Sequence, residues 1–182
     1  MKLKRFERLM LPHMGAAFNV ARWLVQNEDD AREAVQEAYL QAYRSFGTYA
    51  DDNSRAWLLT IVRRVCFRAI RSHGRSQNVI AFDEVLHSTG AEENRTRLST
   101  REGSPEEALL ARSEEAMVWA ALEDLPPVFR EVVVLREIEG ISYREIAQII
   151  GAPIGTVMSR LTRARQRLRI ALRAHGDERN QV

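Results

Sequence analysis

The stretch that decides the fold runs Gly140-Ile141-Ser142-Tyr143-Arg144-Glu145-Ile146-Ala147-Gln148-Ile149-Ile150-Gly151-Ala152-Pro153-Ile154-Gly155-Thr156-Val157-Met158-Ser159-Arg160-Leu161. Its first part carries the signature of a helix start. Ser142 stands at the N-cap position, Glu145 follows three residues on, and Ile141 can staple against Ile146. Gly151 supplies a left-handed residue at which that helix can end, and Ala152-Pro153 leads directly into a second helix from about Ile154. A short helix, a glycine-bearing three-residue turn and a basic helix together predict a DNA-binding helix-turn-helix. The second helix would enter the major groove with Thr156, Met158, Ser159, Arg160 and Thr162 as base-facing positions, and later arginines, Arg163 and Arg167 among them, would meet phosphates.

The charge pattern of that second helix supports the reading. Arg160, Arg163, Arg165, Arg167, Arg169 and Arg173 follow one another with no carboxylate between Thr156 and Gly176. A merely solvated helix packing through Val157, Leu161, Ala164 and Leu168 would more often alternate charge signs for mutual support.

Upstream, Pro126 and Pro127 break the pattern, and a short helix carrying Phe129, Val132, Val133 and Ile138 runs to Gly140. Before the prolines, Ser104-Pro105-Glu106-Glu107 predicts another helix start, since a capping serine, a proline at the first helical position and carboxylates near the positive helix end agree. That helix is expected to reach about Glu123. Between Ser72 and Gly103 helical periodicity fades into Ser, Gly, Asn, Thr and mixed charge, with a short apolar patch from Val79 to Val85. The organisation expected is a domain over 1–75, a flexible linker over 76–103 and a second domain over 104–182.

The N-terminal domain reads as three helices. Pro12 can sit in the first turn of one whose apolar face is Met10, Met14, Ala17, Ala21 and Leu24, ending near Asn27. The next, from about Asp29 to Phe46, buries Ala31, Ala34, Val35, Ala38, Tyr39, Ala42 and Tyr43 and turns Glu33, Gln36, Glu37 and Gln41 outward; Gly47 stops it. The third, capped by Asn53 or Ser54, carries Trp57, Leu58, Ile61, Val62, Val65 and Ile70 inward and Arg63, Arg64, Arg68, Arg71 and Arg75 outward. No segment alternates long enough to argue for a strand, so the fold class is all-α, two small helical domains joined by a flexible linker.

Composition narrows the function. The chain has 182 residues, 45% of them hydrophobic, and a formal net charge of only +2, yet its charge is unevenly distributed. The arginine clusters suggest a polyanion; the acidic stretch Glu28, Asp29, Asp30, Glu33 and Glu37 suggests a basic protein partner. No apolar run approaches the roughly 20 residues of a membrane helix, and Lys2, Lys4 and Arg5 lead into no cleavable signal, so no membrane insertion and a cytoplasmic location are expected. The single cysteine, Cys66, excludes an intramolecular disulfide framework. His13, His73, His87 and His175 have no metal or catalytic spacing and no Gly-rich phosphate loop occurs, so neither an enzyme nor a cofactor is expected. A competing class is a helix-turn-helix regulator that binds an operator without polymerase. Such a protein would need a ligand pocket or a self-complementary surface, and it would leave the acidic helix unexplained.

Leu125-Pro126-Pro127-Val128-Phe129-Arg130-Glu131-Val132, Gly140 to Ala147 and Gly155 to Leu161 together resemble the C-terminal domain of extracytoplasmic-function (ECF) sigma factors of bacterial RNA polymerase. Asp30-Ala31-Arg32-Glu33-Ala34-Val35-Gln36-Glu37-Ala38-Tyr39 resembles the family's polymerase-clamp-binding helix, and Arg55-Ala56-Trp57-Leu58-Leu59-Thr60-Ile61 its promoter-melting segment. The resemblance implies that Glu33, Gln36, Glu37 and Gln41 dock on the basic β′ clamp of core RNA polymerase, with the second domain meeting the β flap. It implies that Arg63, Arg64, Arg68 and Arg71 hold the DNA of the melting element while Tyr49 or Trp57 stacks on a separated base. Tyr49, in a polar loop, is the better stacking candidate, since Trp57 lies on the apolar stripe. The linker would thread into the polymerase cleft, and an anti-sigma factor would regulate the chain in a stress- or signal-responsive regulon. The chain departs from the family pattern at Met158, where Arg or Lys is common, at Arg64, where Asn is frequent, and at Pro153, where some members use a side-chain cap.

Overall fold

A computed structural model describes residues 2–50, 53–72 and 116–179, with side chains as far as Arg173. The expected linker, the patch from Val79 to Val85, the helix start at Ser104 and the proposed domain boundaries lie outside the described residues, as do Arg75, His73, His87 and the side chain of His175. Everything regular among the described residues is helical.

The N-terminal group consists of α1 (Lys2–Met10), α2 (Met14–Val25), α3 (Glu28–Ser45) and α4 (Ser54–Ser72). Pro12 sits in a separate 3₁₀ turn, Leu11–His13, so the expected single helix through it is divided. The division turns Met14 outward to 46% exposure, whereas Ala17, Ala21 and Leu24 are buried as their spacing requires. Asn27 caps α3 by accepting from the backbone N–H of Asp29 and Asp30. A 3₁₀ turn at Phe46–Thr48 ends it, and Asn53 caps α4 through the N–H of Ala56. Helix α2 packs against both α3 and α4. Ala31, Ala34, Ala38 and Ala42 are buried in that junction, where small side chains permit close helix approach.

The C-terminal group begins with α5 (residues 116–123) and continues through α6 (Pro127–Val133), α7 (Tyr143–Ile150) and α8 (Ile154–Arg179). Pro127 occupies the first turn of α6, where its missing N–H costs nothing. The end of α6 widens into a π-helical stretch, Val134–Ile138. Gly140 follows at φ +65°, a left-handed conformation that favours glycine. Helices α6 and α7 both pack on α8.

The buried side chains form one continuous cluster from Phe6 to Ala164 that crosses both groups. Helix α4 packs against α7 and α2 against α6. The two groups therefore share a seam, and that seam positions several of the arginines singled out above.

Candidate nucleic-acid and polymerase interface

The helix-turn-helix is built as its sequence dictates. Ser142 accepts from the Glu145 N–H, and the Glu145 carboxylate reaches back to the Ser142 N–H at 3.1 Å, which completes a capping box. Gly151 ends α7 at φ +67°. Ile141 and Ile146 are buried on the inner side of the turn, and Val157, Leu161 and Ala164 seat α8 on the core. The opposite face of α8 is left to solvent, with Met158, Ser159, Thr162 and Arg167 exposed and Thr156, Arg160 and Arg163 half-buried. Arg167 lies over the Phe129 ring with its guanidinium carbon 5.1 Å from the centroid, and Arg165 pairs with Glu137 at 2.7 Å. The basic helix is thus partly anchored by its own domain.

The Glu145 carboxylate also accepts from the Ser142 hydroxyl and from Asn53 Nδ2, each at 2.6 Å. These hydrogen bonds, that of Ser142 first, favour the charged form and hold the carboxyl below its ordinary value. A depressed carboxyl contributes stability that is complete above its unfolded value of about 4.3 and is lost as pH falls through the folded one. The parent is therefore expected to be about 0.3–1 kcal/mol more stable than Glu145→Gln above pH ~5, the worth of a carboxylate at a helix N-terminus. Denaturant titrations across pH should show that advantage shrinking below pH ~4; a constant difference into acid would assign it to something other than the carboxylate.

Two arginines from different groups converge on one carboxylate. Glu131 on α6 is 1% exposed; Arg63 Nε of α4 lies 2.7 Å from its Oε2, and Arg160 of α8 lies 3.2 Å from its Oε1. Burial pushes the Glu131 carboxyl up, and the two guanidiniums, Arg63 foremost, pull it back. Further along the seam Arg55 pairs with Glu139 at 2.7 Å, Asn19 donates to Glu139, and Gln26 donates to the Glu123 carbonyl. Arg130, itself buried, donates to the carbonyls of Trp23 and Leu125, and burial lowers its guanidinium to about 10. Trp23 and Trp119 stack with centroids 4.5 Å apart. Arg64, Arg68 and Arg71 of α4 remain exposed, so the described members of the first arginine cluster divide into one seam residue and three facing solvent.

The aromatic pair expected near separated bases is arranged contrary to expectation. Tyr49 is only 9% exposed, stacked on Phe46 and tilted against Trp57 at 5.0 Å between centroids. Trp57 is half-buried and is the more accessible of the two. The polar sequence around Tyr49 does not prevent its ring from closing over an aromatic neighbour, because burial of the ring outweighs the local loop composition.

On α3, Glu33 and Gln36 are exposed, while Glu37 is half-buried and accepts from Gln41 at 2.7 Å. Leu40, which belongs to neither the inward nor the outward set expected on this helix, is 46% exposed on the same side at helical spacing from Glu33, Gln36 and Glu37. It opens onto an apolar groove of about 710 Å³ lined also by Leu3, Phe6, Leu11, Met14 and Tyr43. An apolar side chain within an otherwise polar stripe was the signal available in the sequence. Tyr43, expected inward, is a partly exposed wall of this groove.

A pair of small helical domains, one presenting an acidic-apolar helix and the other a capped helix-turn-helix with a basic second helix, defines an all-α protein of the helix-turn-helix class. The chain belongs to the ECF sigma factors of RNA polymerase: it is 34% identical to the ECF RNA polymerase sigma-E factor of Escherichia coli over 75% of this chain and 71% of that one, residues 9–76 match sigma-70 region 2 and residues 115–168 match sigma-70 region 4. It is 32% identical to ECF RNA polymerase sigma factor SigE of Mycolicibacterium smegmatis, over 95% of this chain and 63% of that longer protein. It is 31% identical to the RNA polymerase sigma-H factor of Pseudomonas aeruginosa, over 93% of this chain and 86% of the relative. Among solved structures, the sigma factor RpoE of Bartonella quintana, crystallised with the anti-sigma factor NepR, superposes with a TM-score of 0.66 at 28% identity, covering 93% of this chain and 98% of that one. Among the described residues no helix is long and apolar enough to cross a membrane.

Proposed function

We propose that the chain acts in the cytoplasm as a non-enzymatic transcription initiation factor, binding core RNA polymerase and directing it to the promoters of a stress- or signal-responsive regulon. The observation that carries this reading is the exposed outer face of α8, basic from Arg160 onward, standing on a capped turn in a chain of sigma-factor family. Helix α8 reads the upstream, minus-thirty-five element through Thr156, Met158, Ser159, Thr162, Arg163 and Arg167. Helix α4 holds the melting element through Arg64, Arg68 and Arg71, with Trp57 as the more accessible stacking ring. Glu33, Gln36, Glu37 and Gln41 meet the β′ clamp, and Leu40 adds an apolar contact at the centre of that face. Arg63 and Arg160 join their DNA surfaces once the seam opens and Glu131 releases them. Tethering both DNA-reading domains raises the effective concentration of the second after the first has bound. An anti-sigma factor, such as the one that accompanies the Bartonella relative, fits the same logic by holding both surfaces out of reach.

Run-off transcription with purified core polymerase on a genomic promoter library tests the proposal. Transcripts that appear only when the chain is added support it, and an unchanged transcript set sinks it. Arg160 is held by Glu131, so its removal would also disturb the seam. Arg163→Ala is expected to weaken promoter binding by the holoenzyme and lower the slope of log affinity against log salt by about 1. An unchanged slope would place Arg163 away from the phosphates.

A further inference from the structure

The leading end of α8 carries an uncommon surface for a basic helix. Ile154 and Met158 are 44% and 47% exposed, one helical turn apart, and exposed Thr162 continues the same line one turn further. The hydroxyls beside and within this line are committed to their own helix. Thr162 Oγ1 donates to the Met158 carbonyl and Ser159 Oγ donates to the Thr156 carbonyl, each at 3.0 Å. With those hydrogens spent, the stripe Ile154, Met158 and Thr162 offers methyl and thioether surface outward and no side-chain donor. The cations lie beside it, at Arg163 and Arg167, and no carboxylate occurs from Thr156 to Gly176 to repel a polyanion.

We infer that this stripe is a specificity device that reads thymine C5-methyl groups in the major groove, with Met158 as its principal contact. The inference rests on the reading of α8 as the groove-entering helix. Guanine presents two acceptors, N7 and O6, at its groove edge and needs donors to satisfy them; thymine presents a methyl group that an apolar side chain can cover. A donor-free stripe that displaced water from guanine would strand both acceptors, whereas over thymine it buries a methyl and leaves the O4 acceptor beside the neighbouring arginines. The unbranched Met158 side chain can follow a methyl whose position shifts with local groove geometry. Ile154, at the first turn of the helix, covers an adjacent step.

The test replaces thymines of the upstream element one at a time by deoxyuridine, which keeps every hydrogen-bonding group and removes only the methyl. Binding and open-complex formation are then measured for holoenzyme carrying the parent, Met158→Ala or Met158→Lys. For the parent, deoxyuridine at one or two positions should weaken binding about 4-fold per position, the factor carried by one buried methyl. Met158→Ala should lose a similar factor on the thymine duplex and be indifferent to deoxyuridine there. Met158→Lys should exchange methyl dependence for a preference for guanine at that base pair. If no deoxyuridine position affects the parent, or if Met158→Ala loses equally on both duplexes, as it would where the stripe docks on a protein surface, the inference is overturned. In either case promoter-dependent transcription by the parent would leave the sigma-factor reading standing; its absence would overturn both.

Discussion

Glu131→Ala is expected to lower the unfolding free energy by about 3–5 kcal/mol, the cost typical of removing one member of a buried charge cluster. Its carboxylate is almost completely withdrawn from water, and the Arg63 and Arg160 guanidiniums converge on it from different helices. Alanine would leave two like charges facing each other across a cavity with their strongest acceptor gone. At roughly 2–4 °C per kcal/mol for a chain of this size, the midpoint of thermal unfolding should fall by roughly 6–20 °C. Attraction among the three groups does not by itself imply a net gain, because bringing three ions out of water is costly. The triple replacement Arg63→Leu, Glu131→Leu and Arg160→Leu should therefore recover most of the loss, since it removes the desolvation cost together with the attraction. Calorimetry on the two variants decides the matter. A Glu131→Ala protein that melts with the parent would mean that water already satisfies the two arginines, and a triple variant as unstable as the single one would make the cluster a net source of stability.

What the sequence disclosed depended on the range of the interaction. The capping box of Ser142 and Glu145, the left-handed Gly151 and the inward spacing of Val157, Leu161 and Ala164 are set within a few residues of one another, and all could be read directly. The seam could not be. Arg55 meets Glu139 across 84 positions and Arg63 meets Glu131 across 68, with the linker sequence between them. No periodicity records such a pairing, and the arginine cluster of α4 looks uniform until Arg63 is found turned inward while Arg64, Arg68 and Arg71 face solvent. Tyr49 departs from its expected exposure for a related reason. The polar residues around it predicted an exposed loop, but the ring has Phe46 three positions away to stack on, and aromatic burial prevailed. Met14 fits the apolar spacing of a helix through Pro12; the 3₁₀ turn there rotates the following residues, and Met14 becomes a groove wall.

The face of α3 should prove the largest determinant of polymerase association, and its two components should be separable by salt. Glu33→Lys with Glu37→Lys is expected to weaken binding to core polymerase by about 30-fold or more at low salt, because opposing a basic surface with like charge costs several kcal/mol. Leu40→Ala is expected to cost about 10-fold, the effect of truncating a desolvated anchor at the centre of an interface. Raising the salt from about 50 to 300 mM should shrink the penalty of the charge reversal, since exposed charges more than about 6 Å apart are largely screened at the higher concentration, and should leave the Leu40 penalty nearly unchanged. Both substitutions lie on the outer side of α3, away from Ala31, Ala34, Ala38 and Ala42, so helix content and melting midpoint should stay with the parent. Fluorescence-anisotropy titrations with core polymerase at the two salt concentrations read all four numbers. If the charge-reversed chain binds normally, α3 is not the polymerase face; if Leu40→Ala follows salt as the reversal does, its effect comes through the neighbouring carboxylates rather than through apolar contact.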